Sequence, residues 1–435
     1  MINIISRKDD VMYILLLMLV ITLLTLPAIS GCSEEPTDFN GKDKNEKGEN
    51  IKKDTEENKE QDTEEINETT KLTISAVGDI MVHGPQLRAQ YDHETNEYDF
   101  NDNFEHITSL IEQSDLALAN LETVLAGEEQ DFTSFPLFNT PDALADALKE
   151  AGFQVLSTAN NHSLDRDKLG IKRTVEVIED RGMKAIGTRK NTDKVSYIIK
   201  EIEGINIGLS AYTYETPRYN KQRTINGIPM SVEVNELLDS FNPEELDEDM
   251  NGMVERVELL QNEGADLIIF FMHWGQEYQR YPDEYQKKIA QELVENGVDV
   301  IFGSHPHVIQ TVDEIKTDSG KRGIIINSMG NFLSNQRSKY LNNPYTEDGI
   351  IFHIDILSDG DEEVSIDKVS YTPTWVQRYH EGGQRNYSIL PLPHALEDKE
   401  EYGLYNETDI ERAERAWDNT RSILEEGSYE PKLSN

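Results

Sequence analysis

The sequence predicts an α/β fold, with helices covering a sheet, for the chain after residue 70 of its 435 residues. Three observations favour this class. Short apolar runs typical of buried strands alternate with amphipathic stretches of helical period. Glycines that stop helices, such as Gly152, Gly182 and Gly297, follow those stretches. Finally, several apolar runs end in Asp, Glu, Asn or His, at the point where an α/β sheet opens towards its ligand crevice.

The predicted elements follow one another in a regular order. Strands are expected over 72–77, 116–121, 153–159, 183–187, 265–272, 298–302, 323–327, 349–356 and 364–372. Helices are expected over 104–113, 141–151 with Thr140 as N-cap, 168–181, 254–263, 282–296 and 405–426. Residues 195–202 and 205–212 flank Glu203-Gly204 and indicate a hairpin. The weakly periodic stretch 213–250 favours a loop over the site.

The first 32 residues are typical of a bacterial lipoprotein signal peptide. Arg7 and Lys8 precede an apolar run over 11–26, and Ser30-Gly31 precedes Cys32, which is the single cysteine. We therefore predict that Cys32 is lipidated and that the protein is held at the extracellular face of the cell membrane. An uncleaved transmembrane anchor is the alternative, although the apolar run is short for a full span.

The domain boundaries follow from composition. Residues 33–70 carry almost no large apolar side chain and predict a disordered acidic tether. One folded domain is expected over 71–390, and a polar helical extension over 391–435.

The formal net charge of −42 argues against nucleic-acid binding, because no basic stripe is present to neutralise phosphates. A soluble extracellular surface explains so much acid, and an acidic interaction face is the alternative. An anionic substrate would be repelled by this surface, so a metal centre would have to supply positive charge locally.

Polar side chains at five predicted strand ends are expected to meet at one rim. They are Asp79, Glu122, Asn161, His162, His273, His305 and His307. Mixed oxygen and nitrogen ligands suit a divalent cation such as Zn, Mn or Fe. Each residue also has an ordinary interpretation: Asp79 as a turn residue, the Asn161 segment as a helix cap, and His273 as a satisfied core residue.

Two divalent ions need one shared carboxylate and ligands from several loops. We assign Glu122 as the bridge, Asp79 and His307 to one ion, and Asn161, His273 and His305 to the other. His305 and His307, at i and i+2, are expected to point the same way from an extended segment. His162 is the candidate catalytic acid. Asp165 is close enough in sequence to orient its imidazole.

Six motifs, in order, carry a family resemblance. They are Gly78-Asp79-Ile80-Met81, Asn120-Leu121-Glu122, Ala159-Asn160-Asn161-His162, His273-Trp274-Gly275-Gln276-Glu277, Gly303-Ser304-His305-Pro306-His307 and Gly330-Asn331-Phe332. Over roughly 72–333 the chain resembles the CapA (PgsA) family of capsule and poly-γ-glutamate synthesis proteins, which is similar in fold to calcineurin-like metallophosphatases.

The resemblance implies a four-layer αββα sandwich with two divalent metal ions. It also implies a role beside membrane-embedded polymer synthase subunits, in making or exporting an anionic polypeptide capsule. The resemblance also implies that six of the seven residues named above hold the metal ions and that the seventh, His162, is catalytic. Glu277 and Asn331 would support the ligands from outside.

One departure from the wider phosphatase pattern is Met81, which stands where those enzymes have a histidine. A thioether is a poor ligand for such ions, and His83 would substitute only if the loop curled back. Three functions therefore stay open: a metal-dependent hydrolase of a phosphoester or polymer, a non-catalytic subunit of the synthase assembly, and a binding module with a pocket of Tyr212, Tyr214 and Trp375.

Overall fold

The computed structural model describes residues 69–359 and 364–434. The predicted signal peptide with Cys32, and the predicted tether up to residue 68, lie outside the described residues. Within the described ranges, no helix combines the length and the hydropathy needed to cross a bilayer.

The strands are, in chain order, β1 Thr70–Ile80, β2 Tyr91–Asp92, β3 Glu97–Tyr98, β4 Leu116–Leu121, β5 Val155–Ser157, β6 Lys184–Ile186, β7 Ile198–Ile202, β8 Ile205–Tyr214, β9 Thr216–Tyr219, β10 Gln222–Ile225, β11 Ile228–Pro229, β12 Ser240–Phe241, β13 Leu267–His273, β14 Val300–Ser304, β15 Val312–Lys316, β16 Arg322–Ile326, β17 Asn331–Leu333, β18 Asp348–Ser358, β19 Ser365–Glu381, β20 Gln384–Pro391 and β21 Lys432–Leu433.

The α-helices are α1 Gly84–Ala89, α2 Asn101–Glu112, α3 Ala143–Glu150, α4 Asp167–Asp180, α5 Val232–Asn235, α6 Leu246–Asn262, α7 Glu284–Asn296, α8 Ser338–Leu341, α9 Leu392–Glu397 and α10 Glu407–Leu424. Helix α7 shows how local sequence sets a boundary. The Asp283 side chain accepts the backbone N–H of Gln286 at 3.0 Å, and Gly297 ends the helix at φ 123°.

Two large sheets form the centre of the domain. The first has the strand order β20-β19-β18-β1-β4-β5-β6, with β17 beside β1 and β21 beside β19. The second has the order β12-β8-β13-β14-β16-β15, with β7 beside β8. Strands β1, β4, β5 and β6 run parallel, as do β8, β13, β14 and β16, so each sheet has a parallel centre with antiparallel strands at an edge.

The two sheets pack face to face through the alternation of their side chains. Every second side chain on the central strands points into one core that the two sheets share. This core includes Leu72, Ile74, Leu116, Leu118, Ile207, Leu209, Ile269, Phe271, Phe352 and Ile354, from β1, β4, β8, β13 and β18. The intervening side chains of the same strands point away from this interface, towards the helices. Because both faces are covered, the central strands are almost continuously apolar.

Helices cover both outer faces. On the first sheet, Ile107 of α2 and Leu148 of α3 join the cluster that contains Ala117 and Ala119 of β4. On the second sheet, Val257 of α6 and Leu293 of α7 join the cluster with Phe270 of β13. The order helix, sheet, sheet, helix confirms the four-layer αββα sandwich.

Two local expectations are corrected. The stretch 213–250 is not a plain loop, because β9, β10 and β11 form a small antiparallel sheet there. Thr140 does not cap α3. The N-cap position belongs to Asp142, and the Thr140 hydroxyl lies 2.8 Å from that of Thr123 instead. After residue 391, α9 and α10 pack around Trp375 of the first sheet.

Candidate metal centre

Asp79 and Glu122 come from neighbouring parallel strands of the first sheet. Asp79 lies in β1 opposite Asn120 of β4, and Glu122 directly follows β4. Both carboxylates are fully buried. Gly78 makes this possible, because a Cβ there would lie 2.0 Å from the Gly330 carbonyl oxygen. The Asp79 N–H donates to that same oxygen at 2.9 Å, which fixes the strand end.

The second sheet supplies three histidines. His273 ends β13 opposite Ser304, which ends β14. His305 and His307 follow in a turn, with left-handed φ values of 97° and 57°. The expectation that these two residues lie in an extended segment and point the same way is therefore wrong. A turn with positive φ aims their rings differently, and strain of this kind in non-glycine residues often marks a functional site.

The two rings reach different neighbours. His305 lies beside His273, with 4.9 Å between ring centroids. His307 turns towards the first sheet, where its Nδ1 lies 2.9 Å from Asp79 Oδ2. The separate directions match the assignment of the two histidines to different ions.

Asn161 and His162 follow β5 in a tight loop held by Asn160. The Asn160 side chain donates to the Leu121 carbonyl at 2.8 Å and accepts the His162 N–H at 3.1 Å. Asn161 Oδ1 lies 3.1 Å from His273 Nε2. Helix α4 begins only at Asp167, so this loop is not its cap.

The buried donors form two groups that share one residue. Glu122, His273 and His305 form the first group, and Asp79, Glu122 and His307 form the second; within each group the donor atoms lie within 4.8 Å of one another. Glu122 Oε1 lies 3.7 Å from His273 Nε2 and 3.8 Å from His307 Nε2. The spacing suits coordination of one cation by each group.

Two buried polar atoms of the site show whether the site is suited to cations. Among the described residues, neither Glu122 Oε1 nor His305 Nδ1 has a hydrogen-bond partner, although both atoms are buried. Leaving such atoms unpaired is costly, and a bound cation would satisfy them. The donor set, carboxylate oxygens and imidazole nitrogens, also suits divalent cations. The residues therefore fit the metal.

The pKa directions fit the same interpretation. Burial, together with the neighbouring Asp79, raises the pKa of Glu122 well above its ordinary value. Burial, with help from adjacent imidazoles, lowers the pKa of His273 and of His305 well below theirs. His273 and His305 are thus held neutral, the form that binds metal, and a cation beside Glu122 would favour the charged form of that carboxylate.

His162 and Asp165 form a buried pair beside the two groups. His162 Nδ1 lies 2.7 Å from Asp165 Oδ2, which also accepts the Phe138 N–H at 2.6 Å. The Phe138 ring meets the His162 ring edge-on at 4.6 Å. Because Asp165 accepts from Nδ1, the free ring nitrogen of His162 is Nε2.

The remaining predicted residues take the following places. Asn331 donates to the His307 carbonyl at 3.3 Å and to the Thr346 carbonyl at 2.9 Å, so it supports the histidine turn. Glu277 is exposed, on the turn after β13. Met81 is buried, and its backbone N–H donates to the Leu333 carbonyl. His83 Nδ1 accepts the Asn335 N–H at 3.3 Å.

Two residues of the site received no role from sequence reasoning. Asn120 donates to Asp79 Oδ1 at 2.9 Å and so orients that carboxylate; a polar residue inside the apolar run 116–121 was the available signal. Tyr214 lies with its ring 4.6 Å from that of His305.

The sequence predicted Tyr214 only as part of an aromatic pocket with Tyr212 and Trp375. That pocket does not form, because Tyr212 packs beneath the helices of the second sheet and Trp375 beneath α10.

Comparison with known proteins gives a family match. The sequence model of the family described as "Bacterial capsule synthesis protein PGA_cap" matches residues 73–336. The chain is 29% identical over 276 residues to the capsule biosynthesis protein CapA of Bacillus anthracis, covering 62% of this chain and 61% of that protein. It is 26% identical over 275 residues to the PGA biosynthesis protein CapA of Bacillus subtilis, covering 61% and 64%. The alignments thus span less than two thirds of these relatives' length.

Solved structures show a more distant similarity. The NAD nucleotidase of Haemophilus influenzae matches with a TM-score of 0.42 at 14% identity, covering 84% of this chain and 64% of that one. The calcineurin-like phosphoesterase YfkN of Bacillus subtilis matches with a TM-score of 0.35 at 14% identity, covering 81% and 98%.

Proposed function

Since the family match covers more than half of the chain, the protein belongs to the bacterial capsule synthesis protein family, and we propose that it acts in making or exporting a poly-γ-glutamate capsule. The names of the two Bacillus relatives support the polymer. The sequence of the leader supports a lipid anchor at Cys32, which would hold the domain at the extracellular face of the membrane. Membrane-embedded synthase subunits are the proposed partners there.

One observation carries the proposed chemistry: two ligand groups share the buried Glu122, whose Oε1 has no partner among the described residues. This arrangement supports a dinuclear site for Mn, Zn or Fe, with Glu122 as the bridge and Asn161 beside His273. Two divalent cations would supply Lewis acidity towards an oxygen of the bond that is cleaved.

The chain's own residues would handle the proton. The Asp165 carboxylate accepts from His162 Nδ1 and would stabilise the imidazolium form. Nε2 would then protonate the leaving oxygen or stabilise charge that develops on it. The Phe138 ring and the buried loop after β5 restrict water around this pair, and Asn120 keeps the Asp79 carboxylate in place.

Met81 favours a second candidate function. Met81 is buried and occupies the sequence position at which the wider phosphatases that the chain resembles have a histidine, and the group of Asp79, Glu122 and His307 offers three protein ligands. A weakly activating site of this kind suits a non-catalytic subunit of the synthase assembly, in which the metal stabilises the fold.

Complementation tests the capsule role and separates the candidates. In a Bacillus subtilis strain that lacks its PGA biosynthesis protein CapA, we expect this protein to restore surface polymer. His162→Ala should fail to do so, whereas the exposed-histidine control His380→Ala should succeed. Restoration by His162→Ala, but not by His305→Ala with His307→Ala, would instead indicate the assembly role.

The capsule role itself would be contradicted by two results together. The strain that carries the wild-type protein would make no surface polymer, and a pull-down of the wild-type protein from membranes would contain no synthase subunit. If the purified protein nevertheless hydrolysed a generic phosphodiester with added Mn, it would be a free-standing extracellular phosphoesterase.

A further inference from the structure

A surface cleft of about 430 Å³ lies against α1, whose Gly84, Leu87 and Arg88 line one side of it. We call it the Arg88 cleft; Arg88, Tyr91, His93, Tyr98, Thr133 and Ser134 line it. Its aromatic wall is continuous, since the Tyr98 ring lies 5.0 Å from the Tyr91 ring and meets Phe132 edge-on at 5.4 Å.

The charge of the Arg88 cleft contrasts with that of the chain. The sequence has 83 acidic residues against 41 Lys and Arg, yet no Asp or Glu lines this cleft. Four other clefts of the described surface each include at least one carboxylate. Among the lining residues Arg88 is therefore the one permanently charged group, and Glu128, which acts electrostatically on Tyr98, lies outside the lining.

Arg88 is available to a ligand. It is exposed, and it forms no ion pair with any residue in the described part of the chain. Its guanidinium lies near Gly84 and Ser134, since a Cβ on Gly84 would be in ordinary contact with Arg88 Nη1 at 3.4 Å and with Ser134 Cβ at 3.6 Å. A guanidinium can hold a carboxylate through two parallel hydrogen bonds, and the Ser134 hydroxyl adds a further donor.

The cleft adjoins the His162 pair through two short connections. Gly84 directly follows His83, whose ring meets Phe138 edge-on at 5.4 Å, and Phe138 in turn contacts His162. On the other wall, the loop that carries Ser134 is closed by pairing of Thr133 with Asn139. The Arg88 cleft thus begins two ring contacts away from His162, with the buried Phe138 ring between them.

We propose that the Arg88 cleft is a subsite for a carboxylate-bearing chain, which it holds next to the His162 pair. Arg88 binds a carboxylate, and Tyr91, Tyr98 and Phe132 contact the methylene groups between successive carboxylates. The proposal rests on the proposed capsule role, because that role supplies the acidic chain.

Fluorescence anisotropy of the full-length protein with a fluorescein-labelled oligo-γ-glutamate tests the subsite. We expect Arg88→Glu to weaken binding about tenfold or more, as the loss of a charge-assisted bidentate contact does. Arg88→Lys should keep part of the affinity. Lys194→Glu makes the same charge change at an exposed lysine outside the cleft and should bind as the wild type does. The methyl ester of the oligomer, which is uncharged, should not bind.

Equal affinity of the wild type and Arg88→Glu would overturn the subsite. Stronger competition by tripolyphosphate than by unlabelled oligomer would overturn the assignment to a carboxylate chain. A wild-type protein that restores surface polymer in the complementation strain but does not bind the oligomer would overturn the cleft alone. If the oligomer bound in an Arg88-dependent way but the wild-type protein did not restore surface polymer in the complementation strain, the capsule role alone would be overturned.

Discussion

Two buried glutamates, Glu122 at the strand ends and Glu347 beneath α10, differ in how their charge is compensated. Glu347 Oε2 lies 3.1 Å from Arg412 Nε and 3.4 Å from Arg415 Nη2, and it accepts from Trp375 at 3.3 Å; its Oε1 accepts the Ser338 N–H at 2.8 Å. Among the described residues, the Glu122 carboxylate accepts one long hydrogen bond, from Asn120 to Oε2 at 3.4 Å, and no Lys or Arg pairs with it.

Their pKa values move in opposite directions for this reason. Burial alone would raise the pKa of Glu347, but the guanidinium groups of Arg337 and Arg412 hold this pKa below its usual range. Burial and the neighbouring Asp79 raise the pKa of Glu122. Glu347 is therefore compensated by the chain's own cations, whereas Glu122, within the described part of the chain, is not. Because Glu122 also belongs to both ligand groups, a bound cation is the natural source of its missing positive charge.

The largest expected effect comes from breaking the compensated cluster. Glu347→Ala should lower the free energy of unfolding by about 3–5 kcal/mol, because the buried Arg337 would lose its counter-charge. Urea unfolding in EDTA measures this. The exposed Glu411→Ala on α10 is the control and should change it by less than about 0.5 kcal/mol. A loss in Glu347→Ala no larger than that of the control would remove the contrast.

Metal should stabilise only the uncompensated site. With free Mn at 100 times its dissociation constant, the wild type should gain about 2.7 kcal/mol in unfolding free energy over the protein in EDTA. His305→Ala combined with His307→Ala should gain none, whereas Glu347→Ala should keep the full increment. An equal gain in the double variant and the wild type would show that the ion binds elsewhere.

The smallest effect is a difference in pH dependence, measured in metal-free protein. Because the pKa of Glu122 is raised, its contribution is complete below the usual value of 4.5 and is lost as pH rises through the folded-state value. The stability of the wild type relative to Glu122→Gln should therefore fall as the pH rises above the usual value of 4.5.

Glu347 should show the opposite trend. Its pKa is lowered, so its contribution is present above the usual value and is lost as pH falls through the folded-state value. The stability of the wild type relative to Glu347→Gln should therefore fall on acidification. Parallel pH profiles for the two comparisons would show that the two environments do not differ as described.

Sequence reasoning located the uncompensated site but not the compensated one. The strands that carry Asp79, Glu122 and His273 are buried on both faces, so their runs are apolar throughout and the polar residue at each end stands out. The cluster around Glu347 joins residues 65 and 68 positions apart on polar, amphipathic segments, where no local pattern marks the partners.

Other features depend on tertiary contacts as well. The edge strands β15 and β20 carry mixed polar residues and lack a clear strand period. The turn in which His305 and His307 take positive φ angles follows a close approach of β14 to the chain after β16, where a Cβ on Gly303 would lie 2.0 Å from the Asn327 carbonyl oxygen. No local sequence pattern marks either feature. Tyr214 reaches His305 only because β8 and β13 are neighbours.

Anomalous diffraction from Mn-soaked crystals tests the central claim most directly. The account predicts two peaks about 3.5–4 Å apart on either side of the Glu122 carboxylate, one near Asp79 and His307 and the other near His273 and His305. No peak at Glu122, or ions bound only at exposed carboxylates, would contradict it.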